Sequence, residues 1–198
     1  LRGGGGSEYS EPEARRSPGA FHLAVYGAGG CLALGYETVW NRQLTFVLGN
    51  STYAFSTMGI IVLAGIGLGG LLGRRLAARA GNPLVLFGVL QVLLAVSSVL
   101  PLSALGGFGA VAAVVGTGSW VARTAGGFLA SLLYMVPSTF LMGVTFPAML
   151  RVCAREDRLG EDTGLLILAN CLGAAVGPVI TTRFLFMHLG VTMSALVL

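Results

Sequence analysis

The chain reads as an all-α protein, a polytopic bundle of transmembrane helices. Three observations carry that reading. Charged residues make up 10% of the 198 positions, against about 25% in an ordinary soluble domain. The mean hydropathy is +0.82. The apolar residues gather into two long runs: 20–73, interrupted only by Glu37 and Arg42, and 84–150, in which Arg123 is the one formal charge. A soluble domain of this size could not cover its core with so few charges. A bilayer is the solvent that suits such a surface.

In order along the chain, residues 1–19 are rich in Gly, Ser, Glu, Arg and Pro and read as a disordered tail. Residues 20–198 form the transmembrane domain. The glycine run at 3–6 has no strand before it and no apolar helix directly after it, so it is a linker rather than a phosphate-cradling loop. A transmembrane helix takes about 20 mostly apolar residues. Span 1 is expected over 18–36, ending in the polar-aromatic stretch Tyr36-Glu-Thr-Val-Trp-Asn-Arg42, with a turn at Gly49-Asn-Ser51. Span 2 follows over 51–72, a hydrophilic connector over 73–83, and span 3 over 84–102. Span 4 covers 126–150, span 5 covers 164–186, and a sixth begins near Val191. Residues 106–119 are apolar but short and glycine-rich, and read as re-entrant, interfacial or poorly helical.

The arginines fix the orientation. With the N-terminus inside, nine of them (Arg2, Arg15, Arg16, Arg74, Arg75, Arg79, Arg151, Arg155 and Arg158) are cytoplasmic and three (Arg42, Arg123 and Arg183) are outside. A crossing at 106–119 would make the division six against six. The bias therefore predicts five complete spans plus the start of a sixth, with the N-terminus cytoplasmic. Leu1 is not a methionine and Leu198 falls in an apolar run that has just begun, so the chain reads as part of a longer protein, without a cleavable signal peptide.

Several function classes drop out. The formal charge of +4 comes with no long basic run, so nucleic acid is not a partner. Cys31, Cys153 and Cys171 form no CxxC and no pattern with His22 or His188, which leaves neither a disulfide framework nor a metal site. No Ser/His/Asp grouping and no intramembrane carboxylate pair is present, so no catalytic set and no cofactor is expected.

What chemistry remains centres on Glu37, the only acidic residue between Glu13 and Glu156. A carboxylate inside a membrane is expensive and is a functional candidate by default. Its distance from Pro18 puts it near the outer interface, where an ion pair with Arg42 or Arg123, or a hydrogen bond to Asn41, is the structural alternative. Tyr36, Trp40 and Tyr53 cluster at the same boundary. They read either as an aromatic belt or, with Glu37, as a pocket for an organic cation held by cation–π attraction. Asn170 faces the bundle in most helical registers, as interhelical glue or as a ligand group. Gly65-Ile-Gly-Leu-Gly69 and Gly173-Ala-Ala-Val-Gly177 are small-xxx-small faces that allow close helix crossing. Pro137, Pro147 and Pro178 remove backbone donors and are expected to kink their helices. The acids at 156–162 read as a solvated connector.

Four ordered stretches resemble the membrane domain of spermidine-synthase-like multi-pass proteins. They are Gly35-Tyr-Glu-Thr-Val-Trp-Asn-Arg42, Leu48-Gly-Asn-Ser-Thr-Tyr-Ala-Phe55, Phe140-Leu-Met-Gly-Val-Thr-Phe-Pro147 and Leu168-Ala-Asn-Cys-Leu-Gly-Ala-Ala-Val-Gly177. The resemblance implies a major-facilitator-like bundle in a bacterial inner membrane, followed by a soluble aminopropyltransferase-like domain. No catalytic residue of that domain has a counterpart here. The implied role is non-catalytic: to anchor the synthase domain and to bind or move a polyamine-like cation. Two alternatives stay open, half of a major-facilitator-type secondary transporter and a purely structural anchor. The connector Gly70-Leu-Leu-Gly-Arg-Arg-Leu-Ala-Ala-Arg-Ala-Gly81 is similar to the basic loop of such transporters but lacks its aspartate.

Overall fold

The structure is a computed structural model, and it describes residues 18–48, 52–103, 119–154 and 156–198. Every element among them is helical: α1 (Ala20–Leu48), α2 (Thr52–Arg79), α3 (Pro83–Ser103), α4 (Trp120–Cys153), α5 (Leu159–Ile180) and α6 (Phe186–Val197). A short 3-10 turn, Glu156–Arg158, leads into α5, and a π turn, Thr181–Leu185, joins α5 to α6. Three segments are long and apolar enough to cross a bilayer: Phe55–Arg79, Ser131–Cys153 and Leu159–Val191. Pro83–Val99 is apolar but shorter. The stretch at 106–119 lies, up to residue 118, outside the described residues, as does nearly all of the expected N-terminal tail.

The first helix departs from expectation. It does not end at Tyr36 but continues to Leu48. Tyr36, Val39, Trp40, Gln43 and Leu44 recur with helical spacing, and all five are buried. Tyr36, Trp40 and Leu44 pack with Met58, Ile61 and Val62 of α2 and Tyr134 and Met135 of α4. That buried stripe holds the helix through a stretch whose polarity suggests a loop, and no glycine or proline interrupts it before Gly49. Tyr36 and Trp40 are thus interior residues, not a headgroup belt.

Two tight helix pairs organise the bundle: α4 lies along α2, and α5 lies along α1, while α3 packs on α4. Both pairs run on glycine. On the first seam an added Cβ at Gly69 would strike the Phe140 carbonyl, one at Gly73 the Val144 backbone, and one at Gly143 the Ile66 carbonyl. On the second, a Cβ at Gly173 would meet the Gly27 carbonyl and one at Gly177 the Cys31 carbonyl. Where apolar association gains nothing from expelling water, such backbone approach supplies the packing. Both small-residue faces expected from the sequence lie in these seams. The outward faces are apolar instead: Val85, Val89, Val92 and Val96 on α3, and Leu168, Leu172, Val176 and Val179 on α5, are all exposed. Such stripes suit lipid and not water.

Helix α4 runs continuously through Pro137 and Pro147. Past Pro178, α5 loosens into the π turn, and Gly190 adopts φ 72° and ψ 173°, breaking the helix where a sixth segment was expected to begin. A left-handed φ of this kind is cheap only for glycine. The connector acids are not uniformly solvated. Arg158 and Glu161 pair at 3.2 Å on the surface, but Asp162 is fully buried.

Polar groups inside the bundle bridge helices. Ser97 Oγ of α3 lies 3.1 Å from Ser138 Oγ of α4. The buried Tyr134 hydroxyl donates to Gln43 Oε1, while Gln43 Nε2 has no partner among the described residues. Tyr134→Phe is therefore expected to strand the whole amide and lower stability by about 1–3 kcal/mol. Adding Gln43→Leu is expected to recover most of that loss, since removing both partners is nearly neutral. Thermal unfolding of the purified protein in detergent checks both values.

Candidate functional site

Helix α1 contributes most to the site because one of its faces is small where it must be and polar where it can be. Tyr26, Gly29, Gly30, Ala33, Leu34, Glu37 and Trp40 line a cavity of about 350 Å³. Their spacing follows the i, i+3, i+4, i+7 rhythm of a single helical face. The opposite walls are Val62, Ile66 and Gly70 of α2, Phe87, Gln91 and Leu94 of α3, Thr139 to Phe146 of α4 (Val144 and two others excepted), and Ile167 and Asn170 of α5. The volume sits at the low end of small-molecule sites, about 300–1,000 Å³.

The cavity lies at the middle of the helices. Helix α1 is centred on Leu34, which lines it. Phe55–Arg79 is centred on Gly67, Pro83–Val99 on Gln91, and Ser131–Cys153 on Met142. Gln91 and Met142 are themselves lining residues, and Ile66 and Gly70 flank Gly67. Glu37 is three residues from the centre of α1, about 4.5 Å along a helix axis. Helix α1 runs eleven residues past Glu37, which places this residue inside the helix and not at its end.

Glu37 is the one formal charge among the described residues that line the cavity. It forms no ion pair with Arg42 or any other described residue. Arg42 is exposed and does not line the cavity, and the side chain of Arg123 lies outside the described residues. Two amides, Gln91 and Asn170, accompany the carboxylate, and Gly30 makes room for the second of them. A Cβ on Gly29 would sit 3.9 Å from Gln91 Nε2, and one on Gly30 would sit 2.7 Å from Asn170 Oδ1. The threonine hydroxyl protons are already committed: Thr139 donates to the Met135 carbonyl at 3.0 Å and Thr145 to the Met142 carbonyl at 2.7 Å. Aromatic rings close the walls. Tyr26 packs on Phe146 with centroids 6.1 Å apart, and Trp40 on Tyr36 at 5.9 Å.

Of the residues singled out from the sequence, Glu37, Trp40 and Asn170 come together at this cavity. Tyr36 supports Trp40 from the core behind it. The side chain of Tyr53 lies outside the described residues. Sequence reasoning missed Gln91 and Tyr26. A lone amide in the middle of an apolar run was a usable signal for Gln91; a tyrosine among alanines and glycines carried none. Among the described residues no three His, Cys, Asp or Glu side chains gather as metal ligands would. No protein-family model, curated protein or solved structure matches the chain.

Proposed function

We propose that this chain is a non-catalytic, polytopic membrane domain that binds an organic cation, with Glu37 as its counter-charge. One observation carries the reading: a cavity at the centre of the helices is lined by a single carboxylate that has no ion-pair partner among the described residues. A bare carboxylate there is costly unless something occupies the site with it. Trp40 and the neighbouring rings offer the faces that attract a cation once its water is removed.

The four sequence motifs support a place in a spermidine-synthase-like fusion protein, in which this domain anchors a following soluble domain in a bacterial inner membrane. The arginine bias, nine against three, supports five spans plus the start of a sixth with the N-terminus cytoplasmic. A second reading, half of a secondary transporter, draws on the position of the cavity. Transporters of that kind hold their site at the bilayer midplane between separately packed helix groups, and here the cavity walls come from the α1/α5 pair and the α2/α4 pair.

The test is direct binding. The full chain in lipid nanodiscs is titrated with benzyltrimethylammonium and with spermidine by calorimetry. Saturable binding of either, at one site per chain, is the expected result. Absence of binding by both would leave the anchor alone.

A further inference from the structure

We infer that the cavity selects an amphipathic organic monocation and discriminates against polyamines. This rests on reading the cavity as a cation site and names what that site accepts. The number of charges the cavity can compensate is the selector. Glu37 is the only acidic residue in residues 14–155. Asp162, a fully buried carboxylate, does not line the cavity. An ammonium entering beside Glu37 is compensated. A second ammonium on the same molecule would leave water and find no counter-charge, and dipoles alone do not offset that loss.

The remaining polar groups point the same way. Thr139 and Thr145 have given their protons to their own helix, so they face the cavity only as neutral acceptors, which do not replace a second counter-charge. Gln91 and Asn170 are left to recognise one neutral polar tip. The rest of the lining, with Tyr26, Phe87 and Phe146 at its rings, suits an apolar body of aromatic or branched-chain type. A linear polyamine has no such body, and its regularly spaced charges would lie against aliphatic walls.

The experiment compares ligands of matched size on the full chain in nanodiscs: phenethylammonium and benzyltrimethylammonium against 1,6-diaminohexane and spermidine. The monocations are expected to bind at least about tenfold tighter than the diamine. A diamine or spermidine that binds as tightly as the monocations overturns the inference and leaves the cation site standing. Failure of all four to bind removes the cation reading itself, and the inference with it. A second variant tests the charge count by gain of function. Gln91→Glu supplies a second carboxylate across the cavity and is expected to shift the ratio toward the diamine by about tenfold. A folded Gln91→Glu protein with an unchanged ratio counts against charge as the selector and overturns the inference.

Discussion

Gly173→Ala is expected to destabilise the protein by about 1–3 kcal/mol, and by more with a larger side chain, whereas Gly67→Ala is expected to be neutral or stabilising by up to about 0.5–1 kcal/mol. Both are glycine-to-alanine changes inside an apolar helix, so propensity alone ranks them equally. Their surroundings do not. The new Cβ at residue 173 would run into the Gly27 carbonyl and the backbone of Cys31, and backbone cannot rotate away. The one at residue 67 meets nothing within 4 Å. It keeps only the gain from restricting the unfolded chain. Gly69→Ala, two residues from Gly67 on the same helix, belongs with Gly173→Ala because Phe140 lies against it. Thermal unfolding of the purified variants separates the two groups, at about 2–4 °C per kcal/mol for a chain of this size. Equal melting temperatures for Gly67→Ala and Gly69→Ala would mean that the α2/α4 seam is not as close as described.

Glu37→Gln is expected to move function and stability in opposite directions. Removing one partner of a desolvated charge pair costs roughly 2–5 kcal/mol, so cation affinity should fall at least about 30-fold. The folded protein, by contrast, loses a half-buried carboxylate that has no ion-pair partner among the described residues, and should melt at the same temperature or higher. Glu37→Asp keeps the charge one methylene further back and should bind with intermediate affinity. Calorimetric titration and a melting curve on the same preparations decide the matter. A Gln variant that loses stability along with binding would make Glu37 a structural residue.

The long apolar helices and the glycine seams were legible from local sequence, because hydropathy and an i, i+4 small-residue pattern are both properties of a single helix. Which seams face each other was not. Gly69 pairs with Phe140 and Gly177 with Cys31, contacts between helices far apart in the chain that no one helix announces. The stretch from Tyr36 to Arg42 was misjudged for a different reason. Its polar residues Glu37, Asn41 and Arg42 outweighed the helical recurrence of Tyr36, Trp40 and Leu44, and the buried face was the stronger determinant. Asn170 was reached by helical register, while Gln91 was missed, because its significance depends on α1, α4 and α5 closing the same cavity around it.

The seams also have a genetic consequence. At Gly30, Gly35, Gly65, Gly69, Gly73, Gly143, Gly173 and Gly177 an added Cβ would come closer than 3.0 Å to a neighbouring segment. Glycine codons begin with two guanines, and any single-base change that alters the amino acid yields a residue with a Cβ. These codons therefore have silent neighbours but no conservative ones. A core leucine can drift to methionine or valine and back, exploring sequence at modest cost. The seam positions have no such intermediate, so the part of the gene that stores the fold in missing atoms is the part least able to wander.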